Sequence, residues 1–310
     1  MQFKSYPKLF RTQKITLVGC GQVGYNLIYQ FKGHHFTATY HSIQKHNENQ
    51  QRLNAKHVQF IQIDLKEIAS IHRLRAFTRR MIWLAPPVNN DHKDNMLRHL
   101  LLRPITYSNL YIGQNKPRIV YVSTTGVYGD LQGNWADEKT PVKPESERAQ
   151  RRVDVEQSLR NAYTKGFVTS CVIRAPGIYS EKRLPLTRLI NKTPALQPEQ
   201  DAYSNHIHET DLARICFLAL FKARPWDIVN AVDENPMKMG DYFDLIAQHY
   251  GLAPPPRMAK QELQHHVSPM MWSFMRESRK IQSTRLKQLN IPLRYPTVSA
   301  FLSTLKNNKL

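Results

Sequence analysis

The sequence predicts an α/β fold built on a doubly wound parallel sheet, and three observations carry that expectation. Short apolar runs rich in β-branched residues alternate with segments of helical period from residue 15 to about residue 175. Strands that alternate with helices form parallel sheets, because each crossover must pack back onto a face. The first run ends in Gly19-Cys20-Gly21-Gln22-Val23-Gly24, a glycine pattern placed between a strand and a helix.

Taken in order, Ile15-Thr16-Leu17-Val18 is an apolar run closed by glycine and reads as a buried parallel strand. An amphipathic segment follows to Phe31. Phe36–Tyr40 is a second strand, and Val58–Ile63 is a third that ends at Asp64. Met81–Leu84 is a fourth, closed by Ala85-Pro86-Pro87. Arg118–Val122 is a fifth and Val168–Ile173 a sixth. The pattern changes at Ala175-Pro176-Gly177, where short elements, prolines and helical runs such as Asp211–Lys222 and Gly240–Tyr250 begin. We therefore expect a dinucleotide-binding (Rossmann) domain over residues 1–176. A smaller, mostly helical substrate region over 177–310 follows, part of which is free to return to the first sheet.

Composition narrows the function classes. At 310 residues the chain suits one α/β domain with an appendage. No apolar run approaches the ~20 residues that span a bilayer. Met1–Lys14 is basic and aromatic but lacks the apolar core of a secretory signal, so it reads as a basic extension on a cytoplasmic protein. Cys20, Cys171 and Cys216 are far apart, each in an apolar run, with no metal-ligand spacing; they read as buried reduced thiols, and no metal is expected. The formal net charge is +20. A field of that sign attracts polyanions: nucleic acid, anionic membrane surfaces or phosphorylated substrates. The basic residues are spread along the chain, no nucleic-acid-binding motif accompanies them, and the oligomeric state is left open.

The glycine loop has a mechanical reading. Gly19 permits the tight turn, Gly21 lets the backbone approach a pyrophosphate, and Gly24 lets helix and sheet pack closely. The helix that starts at Gln22 and Val23 then offers unpaired N–H groups and positive partial charge to phosphates. The cofactor is NAD or NADP. No carboxylate ends the second strand, which reads Thr39-Tyr40-His41-Ser42 with Lys45 beyond. His41 and Lys45 suit a 2′-phosphate, which favours NADP. Asp64 is either an adenine contact or a helix N-cap.

The chain resembles the extended short-chain dehydrogenase/reductases, in particular proteins of the NAD-dependent epimerase/dehydratase type and nucleoside-diphosphate-sugar epimerases. The matching pieces are Gly19–Gly24, Leu84-Ala85-Pro86-Pro87, and Ser123–Gly129 with Asp130, Gly133, Trp135 and Glu138 behind it. They continue with Arg174–Tyr179, Asn205-His206-Ile207-His208, Asp211-Leu212-Ala213 and Asn230–Asp233. The resemblance implies a bound dinucleotide near Leu84, Ala85, Pro86 and Ser123, with its nicotinamide close to Thr124. It also implies that Thr124 hydrogen-bonds a substrate oxygen, and that a Tyr-x-x-x-Lys pair on the next helix moves the proton. Counting back from Glu156, the lysine slot holds Arg152 and the tyrosine slot Arg148. Arginine stays protonated, so Arg148 cannot donate and accept that proton.

Arg152 remains a candidate for the ribose hydroxyls, Arg148 for an anionic substrate group, and Tyr179 for a substitute phenol. His206 and His208 titrate in a useful range, while Arg183, Arg188 and Arg257 offer forked donors to a diphosphate. Three readings stay open. The first is an oxidoreductase or epimerase-like enzyme without the usual Tyr and Lys, acting on an anionic, nucleotide-linked or phosphorylated sugar. The second is a non-catalytic dinucleotide-binding sensor or assembly factor. The third, on charge alone, is an atypical relative recruited to nucleic acid.

Overall fold

A computed structural model describes residues 12–41, 56–77, 79–87, 95–101 and 116–305. Lys45 lies outside them. Among the described residues the centre is a seven-stranded, all-parallel sheet. Its strands are β1 (Lys14–Val18), β2 (His35–Tyr40), β3 (Val58–Gln62), β4 (Arg80–Trp83), β5 (Arg118–Thr124), β6 (Thr169–Ala175) and β7 (Trp226–Asn230). Their spatial order is β7-β6-β5-β4-β1-β2-β3, so the winding reverses between β1 and β4. In open α/β sheets ligands bind at that reversal, outside the carboxyl ends of the strands.

The alternation of side chains along each strand divides the core in two. Ile15, Leu17, Ile82 and Val120 face α1 (Gln22–Gln30), represented by Leu27 and Ile28. Val18, Trp83, Ile119 and Tyr121 face the other way, with Leu97, Val155 and Leu159. Those last residues belong to α3 (Asn95–Leu101) and α4 (Glu147–Thr164); α2 (Ile68–Arg73) contributes Ile71. The short α5 (Leu186–Ile190) precedes α6 (Glu209–Lys222), which packs beside α1 on the first face. A third cluster forms around α7 (Met239–Tyr250), where Tyr242, Phe243 and Ile246 meet Tyr179 and Phe301. Two further helices, α8 (Lys260–His266) and α9 (Pro269–Met275), follow.

The six expected strands are all present, and a seventh is added. β7 pairs in register with β6 from Trp226↔Ser170 to Asn230↔Arg174, so the chain beyond residue 177 does return to the sheet. Its sequence, WDIVN, hides this because Asp227 interrupts the apolar run. The carboxylate is 7% exposed and is held by the guanidinium of Arg285, which donates through Nε at 2.9 Å and through Nη2. A paired aspartate on the edge strand is compatible with burial where a free one is not.

Candidate functional site: the carboxyl edge of the sheet

The glycine loop is shaped by neighbours on one side and is open on the other. Gly19 has φ +78°, a region that disfavours side chains, and a Cβ there would lie 2.7 Å from the backbone of Ala85. Its N–H donates to Thr39 Oγ1 at 2.9 Å, and the Leu84 and Ala85 N–H groups donate to the Val18 carbonyl at 2.8 and 3.1 Å. Gly24 lies against the Cys20 sulfur and Leu84, at 2.9 and 3.3 Å from a notional Cβ. Gly21 differs: nothing lies within 4 Å of the place its Cβ would take. It is also the N-cap of α1, and no side chain caps the helix that begins at Gln22 and Val23. Pro86 is exposed. The loop thus presents an open cradle in front of free helical N–H groups, which fits a pyrophosphate.

Glu209 adds a feature that the sequence reading missed. This first residue of α6 is 8% exposed; its Oε1 accepts from Gln22 Nε2 at 3.4 Å and its Oε2 has no partner among the described residues. Its only sequence signal is position, between the His206-Ile207-His208 and Asp211-Leu212-Ala213 pieces.

At the end of β5, Thr124 is half-buried and its Oγ1 accepts from the Gly126 N–H at 3.1 Å. The hydroxyl proton is thereby left to donate outward. Ser123 points the other way: its hydroxyl donates to Glu156 Oε1 at 2.6 Å. Arg174 donates to Glu156 Oε2 at 2.7 Å, and its guanidinium lies 4.9 Å from the Tyr128 ring centroid. Tyr128 donates to Asn230 Oδ1 at 2.8 Å. Ser123, Glu156, Arg174, Tyr128 and Asn230 thus form a buried polar chain linking β5, α4, β6 and β7. Ser123 has its hydroxyl committed there and 3% exposure, so it is placed as a support rather than an open cofactor contact.

Arg152 and Arg148 lie on the same face of α4 as Glu156, one and two turns before it. Arg152 donates through Nη1 to the Val122 carbonyl at 2.7 Å and the Tyr121 hydroxyl at 3.0 Å, which lays its guanidinium along the end of β5. Arg148 is held otherwise: its guanidinium sits 4.1 Å from the Phe274 ring centroid on α9. No carboxylate pairs with it among the described residues. Burial, followed by the charge of Arg152, pushes it below the usual guanidinium range, with Glu277 opposing and Arg279 and Arg151 adding to the shift. Arg279 donates to Glu277 Oε2 at 2.7 Å and to the Gly129 carbonyl at 2.8 Å, joining this cluster from the far end of the chain.

Tyr179, expected as a substitute phenol, lies inside the third core cluster. Tyr179 is 1% exposed, enclosed by His206, His208 and Phe301, and its hydroxyl is buried without a partner. Burial, then the carboxylates of Asp233 and Asp211, push it above the usual phenol range. A phenol so enclosed has no access to a substrate. His206 and His208 are likewise buried, and burial pushes both down to about 4. His208 is the N-cap of α6, accepting from the Thr210 N–H at 3.1 Å, and His206 stacks on Tyr242 with centroids 4.2 Å apart.

At the other end of the edge, His41 Nδ1 lies 4.0 Å from Asp64 Oδ1, both on the rim of a cavity of about 480 Å³ that Arg73 also lines. Asp64 accepts from the Lys66 N–H at 2.9 Å, so it caps a turn and not α2, whose N-cap is Glu67. The arginines expected to grip a diphosphate are partly committed within the protein. Arg257 pairs with Asp244 and donates to the Leu196 carbonyl, and Arg188 donates to the Pro194 carbonyl over the Phe243 ring. Arg183 is exposed. The three cysteines are free and buried. Among the described residues no cluster of His, Cys, Asp and Glu is placed to hold a metal, and no helix is long and apolar enough to cross a membrane.

A doubly wound sheet with a glycine loop at its reversal defines the dinucleotide-binding class, and the comparisons place the chain within it. Residues 15–230 match the NAD dependent epimerase/dehydratase family, and the chain belongs to that family. A conserved protein of unknown function from Silicibacter pomeroyi is similar in fold, with 22% identity, TM-score 0.74, and 94% of this chain and 97% of that chain covered. A UDP-glucose 4-epimerase from Thermotoga maritima, solved with UDP-glucose, has 16% identity, TM-score 0.73 and coverages of 94% and 97%. DesIV, a dTDP-glucose 4,6-dehydratase from Streptomyces venezuelae solved with NAD and TYD, has 14% identity, TM-score 0.74 and coverages of 94% and 95%. No curated protein sequence gives a significant match.

Proposed function

We propose that the chain binds NAD or NADP along the carboxyl edge of its sheet and holds an anionic, nucleotide-linked or phosphorylated sugar against Arg148. On this reading it is an oxidoreductase or epimerase-like protein in which two arginines replace the tyrosine and lysine of the extended short-chain dehydrogenases. One observation carries the reading: the loop is open only at Gly21, in front of the uncapped start of α1. A nicotinamide dinucleotide in that cradle supplies a hydride donor or acceptor. The residues up to 176 then serve the cofactor, and the region from 177 serves the substrate. The lack of a carboxylate at the end of β2, with His41 in its place, supports NADP over NAD.

The chain's own groups have distinct tasks in this scheme. Thr124 donates its free hydroxyl proton to a substrate oxygen, since its lone pair already accepts from Gly126. Arg152 lies where the ribose hydroxyls pass. Arg148 attracts and orients the substrate anion and stabilises developing negative charge, but at neutral pH it cannot take a proton. The buried state of Tyr179 favours a second reading, a dinucleotide-binding protein without turnover.

Calorimetric titration with NAD and NADP separates these from an empty scaffold. Binding to at least one is expected, and no heat at millimolar concentrations of both would refute the proposal. With cofactor present, UDP-glucose is the probe for the substrate side. Arg148→Gln is expected to weaken it about tenfold, as loss of one charged contact does, and unchanged affinity would remove Arg148 from the site. Turnover that Thr124→Ala abolishes would exclude the non-catalytic reading.

A further inference from the structure

The net charge of +20 is not accounted for by a dinucleotide site, and the opposite edge of the sheet offers an account. Four adjacent strands begin on a basic residue: β5 at Arg118, β4 at Arg80, β1 at Lys14 and β2 at His35. Residues 1–63 contain eight lysines and arginines and a single acidic residue, Glu48. Lys14 pairs with His35, and the Thr16↔Met81 register, followed back two residues, sets Arg79 beside Lys14. Paired positions on parallel strands share a face.

That face borders a cavity of about 710 Å³ lined by Lys14, His35, Lys56, Phe77, Arg79 and Arg80, with no aspartate or glutamate in its lining. Among the described residues none of Lys14, Lys56, Arg79 and Arg80 has a carboxylate partner. Their neighbour Arg118 is different: it donates to the Ala219, Ala223 and Arg224 carbonyls at the end of α6, a fixed structural use. Arg80 is level with Ile15 rather than Lys14 and lays its guanidinium over the Phe221 ring at 5.8 Å, so Lys14, Lys56 and Arg79 are the group left without counter-charge. Burial, then the charges of Arg79 and Arg118, push the Arg80 guanidinium below its usual range. Strands are ~4.8 Å apart, so the cations at the starts of β4 and β1 and the Lys56 that precedes β3 span ~14 Å. One phosphate does not fill that span, whereas a run of linked phosphates does. Arginine forks and lysine ammonium groups both suit phosphate oxygens.

We propose that this cavity at the amino-terminal edge is a second binding site, separate from the glycine loop, for an oligophosphate anion, either free or as the backbone of a single-stranded nucleic acid. The exposed Phe77 on its wall offers a surface for an attached base.

The test compares Lys14→Glu/Lys56→Glu/Arg79→Glu with the control Lys165→Glu/Lys182→Glu/Lys287→Glu, which changes net charge equally at exposed positions elsewhere. The probes are tripolyphosphate by calorimetry and a labelled single-stranded oligonucleotide by anisotropy, in about 50 mM salt. The wild type is expected to bind at least one probe. The cavity variant should bind that probe at least tenfold more weakly and the control as the wild type does. For the oligonucleotide, three lost phosphate contacts lower the log–log salt slope by about 2. Tripolyphosphate binding identifies free oligophosphates as a source, and oligonucleotide binding alone identifies nucleic acid. Binding of neither probe, or equal losses in cavity variant and control, overturns the proposal. The milder Arg79→Gln should weaken binding in the same direction, which guards against misfolding of the triple variant. Cofactor titration reports on the opposite edge, so either site can fail without the other.

Discussion

Gly19 and Gly21 stand two residues apart, yet substitutions at them should move stability and cofactor affinity in different ways. At Gly19 any side chain meets two penalties. The left-handed backbone, φ +78°, costs an L-residue about 1–2 kcal/mol. The Cβ also falls 2.7 Å from the Ala85 backbone, and such overpacking costs about 1–3 kcal/mol. Gly19→Ala should therefore lower unfolding free energy by about 2–5 kcal/mol. Gly21 has φ −90° and ψ −159°, open to any residue, and free space around its Cβ position. Gly21→Ser lowers the entropy of the unfolded chain and supplies a better N-cap, together worth up to about 1 kcal/mol of added stability. Its side chain would fill the cradle that the pyrophosphate is proposed to enter, weakening NAD(P) about a hundredfold, or ~2.7 kcal/mol. Urea denaturation and calorimetry on the two variants measure both quantities. A Gly21→Ser protein that is stable and binds cofactor as tightly as the wild type would refute this use of the loop. An unchanged unfolding free energy in Gly19→Ala would refute the packing argument.

Other consequences are as direct. Arg174→Met leaves the buried Glu156 carboxylate without its partner and should cost about 3–5 kcal/mol by urea denaturation; a loss below about 1 kcal/mol would show that the pair is solvated. Burial pushes the Asp233 carboxyl up to about 8, so its contribution is complete below the unfolded value and declines as pH rises to 8. Between pH 6.5 and 8 that decline is about 2 kcal/mol, and Asp233→Asn should remove it, which the pH dependence of the urea midpoint checks. His206 and His208, pushed down to about 4, act in the opposite sense, losing stability as pH falls from the unfolded value near 6.5 toward 4. Replacing either with Asn should flatten the acid limb. The Cys20 thiol is pushed up to about 12 by burial, and Cys171 and Cys216 are raised as well. All three should resist thiol reagents until the protein unfolds, and stoichiometric labelling of the native protein would contradict their burial.

Much of the fold was legible because the sheet is parallel and buried. Ile15–Val18, Met81–Leu84 and Arg118–Val122 are short, apolar and closed by glycine, proline or serine. β7 escaped because the Arg285 that neutralises Asp227 lies nearly sixty residues further on, beyond the reach of local pattern. The glycine loop was legible residue by residue, since each glycine answers a separate local demand. The positions proposed for the chemistry were less so. Tyr179 looked available because it follows a sheet strand, but the Gly177–Tyr179 segment pairs with His206–His208 and carries the phenol into the third core cluster. Nor does any local pattern announce that Glu277 and Arg279 come to rest near Arg148.

The arrangement of α4 shows what carries Arg148 and Arg152 onto one face of the helix. Glu156 is locked by Ser123 on β5 and Arg174 on β6, which fixes the rotation of the helix about its axis. Residues at four-residue spacing share a face, so Arg152 and Arg148 are carried to the end of β5 whatever their chemistry. The lock is independent of proton transfer, because it engages neither slot. The side chains at 148 and 152 can therefore vary while Thr124, Gly21 and the end of β5 keep their relative places. On the proposed function α4 draws in and orients an anion, and because arginine stays protonated a proton must come from the substrate or from water.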